Sequence, residues 1–313
     1  MLDSAIILTQ PGLMSTIVDN GRGIHQQRGF SESGPMDDEA YYWVNWLCGN
    51  SDGTPAIEWV GAAEFTVTSD MQIAVTGPGA TVKVNDCQCE LWVTLALKEG
   101  DVVTVEPEKT GTRHYLGIRG NWRVPHIAGS ACTVAREGLG GLHEDGSYNC
   151  ADDTISVDID SALKEVREVP GWGRPDYLLA TPVKVIPGYQ NAWFTEVAKQ
   201  LFYTSSYKIT NKIDRMGYRL SGTPVKCARS EMHSEGITLG AIQCPPDGQP
   251  IVMMRDRQTL GGYPKLGCVS PTDLYRLAQR VPGEHVTFQS EDADNARASY
   301  LLRASRRREI TGS

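Results

Sequence analysis

The sequence predicts a mainly β protein of two units with a few short helices, and three observations predict it. From Ala56 to Val105, short apolar stretches recur between Gly, Asp and Asn turns. That spacing suits an antiparallel barrel or sandwich, not βαβ units. A second β-rich stretch opens at Val183-Lys-Val-Ile-Pro-Gly188, after a segment bracketed by Pro170, Pro175 and Pro182. Finally, 313 residues with 40% apolar and 22% charged content describe a packed chain of about two ordinary domains.

Ala5 to Thr9 reads as a strand closed by Pro11-Gly12, and Asn20-Gly21 as a turn. A helix is expected to begin after Asp37, a good N-cap. Asp38 and Glu39 favour its positive end, and Gly49 closes it. Ala40, Val44 and Leu47 give it one buried face. The expected strands are then Ala56–Val60, Glu64–Thr68, Gln72–Thr76, Thr81–Val84, Glu90–Ala96, Asp101–Val105 and Arg113–Ile118. Gly129-Ser130 and Gly138-Leu-Gly-Gly141 supply backbone-only positions, and neither has phosphate-loop or dinucleotide spacing. The change in character over 160–182 places the boundary, giving domains 1–165 and 183–313 with a linker at 166–182. In the second domain one clear helix is expected, with Ser270 as N-cap, Pro271 in the first turn, and Leu274, Leu277 and Ala278 following. Ser290 to about Ile310 reads as helical, with Leu301 and Leu302 as its apolar contribution.

A net charge of −8 argues against a nucleic-acid or membrane-surface binder, because such proteins carry a basic face. The strongest basic run, Arg306 to Arg308, reads as a solvated tail. No run approaches the roughly 18 apolar residues of a membrane span. The first residues lack a basic n-region and read as a strand, not a signal peptide. Eight dispersed cysteines without zinc spacing read as buried or idle thiols in a reducing cytosol, so a cytoplasmic location and no metal are expected. His25 and His143 sit in polar loops and read as solvent-exposed.

Two segments stand out chemically, Asn211 to Leu220 and Gly248 to Pro264. The second is an apolar run entered through Pro-Pro-Asp-Gly and ending in Arg255-Asp256-Arg257-Gln258-Thr259, then Gly261-Gly262. Charges at a strand end cost desolvation unless they pair or face a cleft. Arg215, Arg219, Arg255 and Arg257 are candidates to hold an anion by paired hydrogen bonds. Asp256 and Asp214 are either proton acceptors or partners of those arginines. Gln258 and Thr259 can engage a planar ureido or lactam group with donor and acceptor together. Gly261 and Gly262 permit close backbone approach. Tyr263 and Lys265 are candidate participants, and Glu235 is the remaining acid with cleft potential.

Asp19-Asn-Gly-Arg22, Ser33-Gly-Pro-Met-Asp37, Gly138-Leu-Gly-Gly141, Asp214-Arg-Met-Gly-Tyr-Arg-Leu220 and Gln258-Thr-Leu-Gly-Gly-Tyr-Pro264 occur in this order. In these motifs the chain resembles the biotin-dependent carboxyltransferase family, also called allophanate hydrolase subunit 2, over roughly residues 5 to 290. Free-standing members of this length are usually assigned as the C subunit of 5-oxoprolinase, and related domains of urea carboxylase carry a carboxyl group from biotin to urea. The resemblance implies two cyclophilin-like β-barrel domains with a substrate cleft between them. It also implies B and A subunits of 5-oxoprolinase as partners, and ATP-dependent opening of 5-oxo-L-proline to L-glutamate only in their company. The alternatives are a carboxyltransferase acting on urea or a similar amide, and a non-catalytic regulator of a kinase-inhibitor subunit. Two departures, Gly120-Asn121 for a usual Gly-Gly and Ala151-Asp152-Asp153 for a usual Gly-Asp turn, bear on substrate identity more than on fold. No biotinyl-lysine segment, GxSxG elbow or HExxH occurs. Any biotin must therefore sit on a partner, and ATP is expected to act through the complex.

Overall fold

The computed structural model describes residues 5–109, 111–159, 165–178, 180–229 and 232–312. The chain is mainly β and divides into two compact units. One contains the chain up to Gly23, Ser33–Tyr177 and Ile310–Gly312. The other contains Ile24–Glu32 and Leu178–Glu309, so an early segment of the chain is part of the later unit.

The first unit holds strands β1 (Ala5–Gln10), β2 (Leu13–Val18), β3 (Ala56–Val60), β4 (Ala63–Val67), β5 (Met71–Thr76) and β6 (Ala80–Val84). They are followed by β7 (Cys87–Cys89), β8 (Thr94–Leu97), β9 (Val102–Pro107), β10 (Arg113–Ile118), β11 (Asn121–Trp122) and β12 (Asp153–Asp158). A seven-stranded sheet has the order β11-β12-β1-β4-β9-β6-β7, and a five-stranded sheet the order β2-β3-β10-β5-β8. Alternation sorts the side chains: Ile73, Val75 and Leu116 enter the core shared by the two sheets. Ala74 and Tyr115 meet helix α1 (Asp38–Leu47) on the opposite face. Asp37 caps α1 as expected, accepting the Glu39 and Ala40 amides at 3.1 and 3.0 Å.

The single strand expected over Glu90–Ala96 is two strands, β7 and β8, on different sheets. The break is at Trp92, whose φ of 66° is left-handed and whose indole Nε1 donates to the Gly77 carbonyl at 3.1 Å. That buried hydrogen bond fixes a conformation a strand cannot accommodate.

The second unit holds β13 (Val183–Pro187), β14 (Tyr207–Ile213), β15 (Gly217–Ser221), β16 (Glu235–Gly236) and β17 (Ala241–Gln243). The remaining strands are β18 (Ile251–Met253), β19 (Leu260–Gly261), β20 (Lys265–Val269), β21 (His285–Val286) and β22 (Phe288–Ser290). Eight of them form one sheet, β21-β14-β15-β18-β17-β20-β13-β22, and β16 pairs with β19 separately. The two edge strands, β21 and β22, are separated only by Thr287, so the sheet curls into a nearly closed barrel. Tyr218, Val252 and Ile242 face one another in register, and all are fully buried in its core. Phe202 stacks on Phe288 with ring centroids 4.7 Å apart, seating helix α2 (Glu196–Thr204) against the barrel.

Helix α2 is absent from the sequence expectations. Its outward Val197 and Leu201 are exposed, and only Ala198 and Phe202 are buried, so no clean apolar stripe marks it. The helix expected after Ser270 is α3 (Leu274–Ala278), capped by Asp273. Residues 270–273 form a turn, closed by the Asp273 amide on the Ser270 carbonyl at 2.9 Å. The final helix, α4 (Ala293–Thr311), is present, but Leu301 and Leu302 are 51% and 63% exposed and Ala296 is its one buried residue. Among the described residues, no helix is long and apolar enough to cross a membrane.

Candidate functional site

The two chemically distinctive segments come together on the second unit. Between β14 and β15 the chain turns at Asp214, whose Oδ1 accepts the Met216 and Gly217 amides at 2.8 and 3.1 Å. Asp214 is exposed, and its carboxylate shapes this turn. Arg215, next in the chain, is buried. Its Nε and Nη2 donate to the two carboxylate oxygens of Asp256 at 2.8 and 3.1 Å. Arg257 is buried too: Nε donates to the Ile237 carbonyl at 2.9 Å and Nη2 to Glu32 at 2.6 Å. Desolvated charges at a strand end are thus matched by partners. Arg255 differs, being half-buried with no hydrogen bond or ion pair to a described residue.

The register of the sheet builds a second feature. Arg219 lies opposite Ile251, Ile251 opposite Gln243, and Gln243 opposite Lys265, on four neighbouring strands. Facing residues of antiparallel strands share a side of the sheet, so these four form a row on the face away from the barrel core. The last step requires a bulge: Ile242 faces Gly267, yet Gln243 faces Lys265, with Leu266 skipped. The skip sends Leu266 fully into the core and Lys265 outward.

A cavity of about 210 Å3 opens on this face. Arg219, Gln243, Ile251 and Met253 contribute from the sheet, Lys212 and Asp214 from the β14–β15 hairpin, and Gln258 and Tyr263 from the loops flanking β19. Tyr263 is 44% exposed, while Gln243 is 2% exposed and its Nε2 has no hydrogen-bond partner. A Cβ on Gly261 would stand 2.9 Å from that nitrogen and 2.5 Å from Ile237 Cδ1, so only glycine fits beneath the β16–β19 hairpin there.

Beside this cavity Glu235 forms its own cluster. It pairs with Lys265 and accepts hydrogen bonds from Tyr189 and Gln190, while the Lys265 Nζ also donates to the Gly236 carbonyl at 3.0 Å. Burial raises the Glu235 pKa, but the hydrogen bonds from Lys265 and Tyr189 outweigh it, and the carboxyl sits below its ordinary range. The same bond to Glu235 pushes the Tyr189 hydroxyl up.

Of the sequence candidates, Asp214, Arg219, Gln258 and Tyr263 line the cavity, and Lys265 and Glu235 form the neighbouring pair. Asp256 and Arg215 hold each other, and Arg255, Thr259, Gly261 and Gly262 lie outside the lining. Gln243, Lys212, Tyr189 and Gln190 escape sequence reading. Lys212 sits inside the first distinctive segment. Gln243 is one polar residue in the apolar stretch Ala241-Ile-Gln-Cys244, a signal that becomes legible only with the strand register. In the first unit, a separate cavity of about 320 Å3 is lined in part by Arg119, Gly120 and Asn121, at one of the two departures from the family pattern. No group of three or more His, Cys, Asp or Glu residues is placed to hold a metal among the described residues.

Comparison with known proteins places this architecture. The chain is 31% identical to the C subunit of 5-oxoprolinase from Escherichia coli, over 90% of this chain and 89% of that protein. It is 26% identical to urea amidolyase of Saccharomyces cerevisiae over 94% of this chain, but spans only 17% of that protein. The crystal structure of Kluyveromyces lactis urea carboxylase superposes with a TM-score of 0.88 at 26% identity, covering 96% of this chain and 28% of that one. With residues 28–290 matching the carboxyltransferase domain, subdomains A and B, the chain belongs to that family.

Proposed function

We propose that this chain is the C subunit of an ATP-dependent 5-oxoprolinase, contributing the surface that holds 5-oxo-L-proline while a complex with A and B subunits opens it to L-glutamate. The observation that carries this reading is coverage in both directions. The match takes in 90% of this chain and 89% of the C subunit of the E. coli 5-oxoprolinase, whereas it takes in only a sixth or so of the urea amidolyases. A domain that is free-standing in its relative acts through association, and the paired, buried charges at Arg215, Asp256 and Arg257 give this one a rigid frame for a binding face. Arg255, Gln258 and Thr259 are the polar groups on that frame available for substrate contact.

The test is glutamate formation from 5-oxo-L-proline and ATP by this chain with candidate A and B subunits, repeated with each omitted. Glutamate that disappears when this chain is left out supports the reading. No glutamate from a soluble, associated three-component complex sinks it.

A second reading has its own support. The TM-score of 0.88 to urea carboxylase over 96% of this chain favours carboxyl transfer to urea or a similar amide. It requires a biotinylated partner, so activity blocked by avidin would favour it over the first.

A further inference from the structure

The cavity on the outer face of the second unit's sheet has a more specific chemistry than its family implies. We propose that it binds a small planar amide bearing a carboxylate, with the ligand carbonyl accepting from Gln243 Nε2 and the ligand carboxylate held by Arg219 and Lys212. The proposal rests on the 5-oxoprolinase reading and names the groups that hold the substrate.

Four observations converge on this ligand class. Gln243 Nε2 is buried without a partner, so it carries an unsatisfied donor that a ligand carbonyl would complete. Its position is fixed from two sides, by the bulge that sets it opposite Lys265 and by Gly261, whose missing side chain leaves the amide its room.

The charges in the lining favour an anion. Lys212 and Arg219 supply two cations, and the one carboxylate among them, Asp214, has an oxygen committed to the hairpin amides. Arg219 spends Nη1 on Asp247 at 3.1 Å, and its remaining guanidinium donors suit a carboxylate. A neutral urea would leave those cations unmatched.

Shape and size agree. Ile251, Met253 and the Tyr263 ring provide apolar surface for a flat ring. The volume of about 210 Å3 lies below the roughly 300–1,000 Å3 of pockets for drug-sized ligands, which suits one small ring and excludes a nucleotide.

The experiment is calorimetric titration of the full chain with four probes: 5-oxo-L-proline, 2-pyrrolidone (no carboxylate), L-proline (no ring carbonyl) and urea. The expected result is tightest binding of 5-oxo-L-proline, with each of the other three at least about tenfold weaker, the worth of one charge-assisted hydrogen bond. Gln243→Leu is expected to weaken 5-oxo-L-proline about tenfold while leaving L-proline unchanged. Arg219→Ala is expected to weaken 5-oxo-L-proline similarly while leaving 2-pyrrolidone unchanged, and Arg219→Lys to retain part of the affinity. Arg219 is partly exposed, so its variants carry the test if Gln243→Leu fails a circular-dichroism melt. No binding, no preference for 5-oxo-L-proline, or affinities indifferent to these substitutions would overturn the proposal.

Its failure is separable from failure of the functional reading. A three-component complex that makes glutamate with an unchanged KM for 5-oxo-L-proline after Arg219→Ala removes the pocket and leaves the function. A complex that makes none, although the chain binds the probes as expected, removes the function and leaves the pocket.

Discussion

Arg215 and Asp256 hold each other twice. The guanidinium spans both carboxylate oxygens, at 2.8 and 3.1 Å, and the Arg215 carbonyl accepts the Asp256 amide at 2.7 Å. The turn after β14 is thereby tied to the loop after β18 through side chain and main chain together. Asp256→Ala would leave a buried guanidinium without its counter-ion, so a loss of about 3–5 kcal/mol is expected in denaturant unfolding. Replacing both residues with Met and Leu should cost markedly less than either single truncation. A double variant as unstable as the single ones would show that the pair is not the source of the effect.

The cap of α1 offers a smaller, graded test. Asp37 accepts two helix amides and also the Tyr177 hydroxyl at 2.8 Å. Asp37→Ala is expected to cost about 2 kcal/mol in thermal or chemical unfolding, and Asp37→Asn noticeably less, because an amide oxygen can still cap.

The glycines of Gly138-Leu-Gly-Gly141 are not equivalent. All three have left-handed φ, but the nearest atom to a Cβ on Gly138 is 3.5 Å away. A Cβ on Gly140 would collide with the Cys132 carbonyl and the Arg22 guanidinium. Gly138→Ala should therefore cost about 1–2 kcal/mol from its backbone alone. Gly140→Ala should cost about 3 kcal/mol or more, since repacking adds to the same strain. Equal melting temperatures for the two variants would contradict this.

His114 predicts a pH dependence. The ring is fully buried beside Trp59, and burial, opposed by its bond with the Pro78 carbonyl, lowers its pKa from 6.5 to about 4. Between those values the unfolded chain binds a proton that the folded chain does not. Stability is therefore lost as pH falls from about 6.5 to about 4, by up to roughly 3 kcal/mol from this residue. Unfolding free energies measured across that window should fall less steeply for His114→Phe than for the parent chain.

Most strands were legible because Gly, Asp and Asn mark their ends, and α1 because one residue, Asp37, announces it. Strands β7 and β8 were merged because nothing local reveals that Trp92 turns left-handed to bond a carbonyl fifteen residues away. Helix α2 was hidden because its outward residues are as apolar as its inward ones. At the candidate site, the charged cluster was visible in the sequence, but its pairing was not. Asp256 belongs to Arg215, 41 residues distant, and Arg257 to Glu32. Gln243 acquires meaning only through the strand opposite it and the residue that strand skips.

The membership of Ile24–Glu32 in the second unit bears on how the chain is made. Gln26 donates to the Ile237 carbonyl, Ser31 to that of Arg257, and Glu32 pairs with the Arg257 guanidinium, 225 residues further on. During vectorial synthesis this segment leaves the ribosome early and has no partners until most of the protein has followed. The second unit cannot be finished as an independent C-terminal event, and a fragment starting at Leu178 would expose the guanidinium that Glu32 neutralises. Expression of either half alone is therefore a test of chain order as much as of stability, and a missing half should be rescued only by a partner that brings residues 24–32 with it.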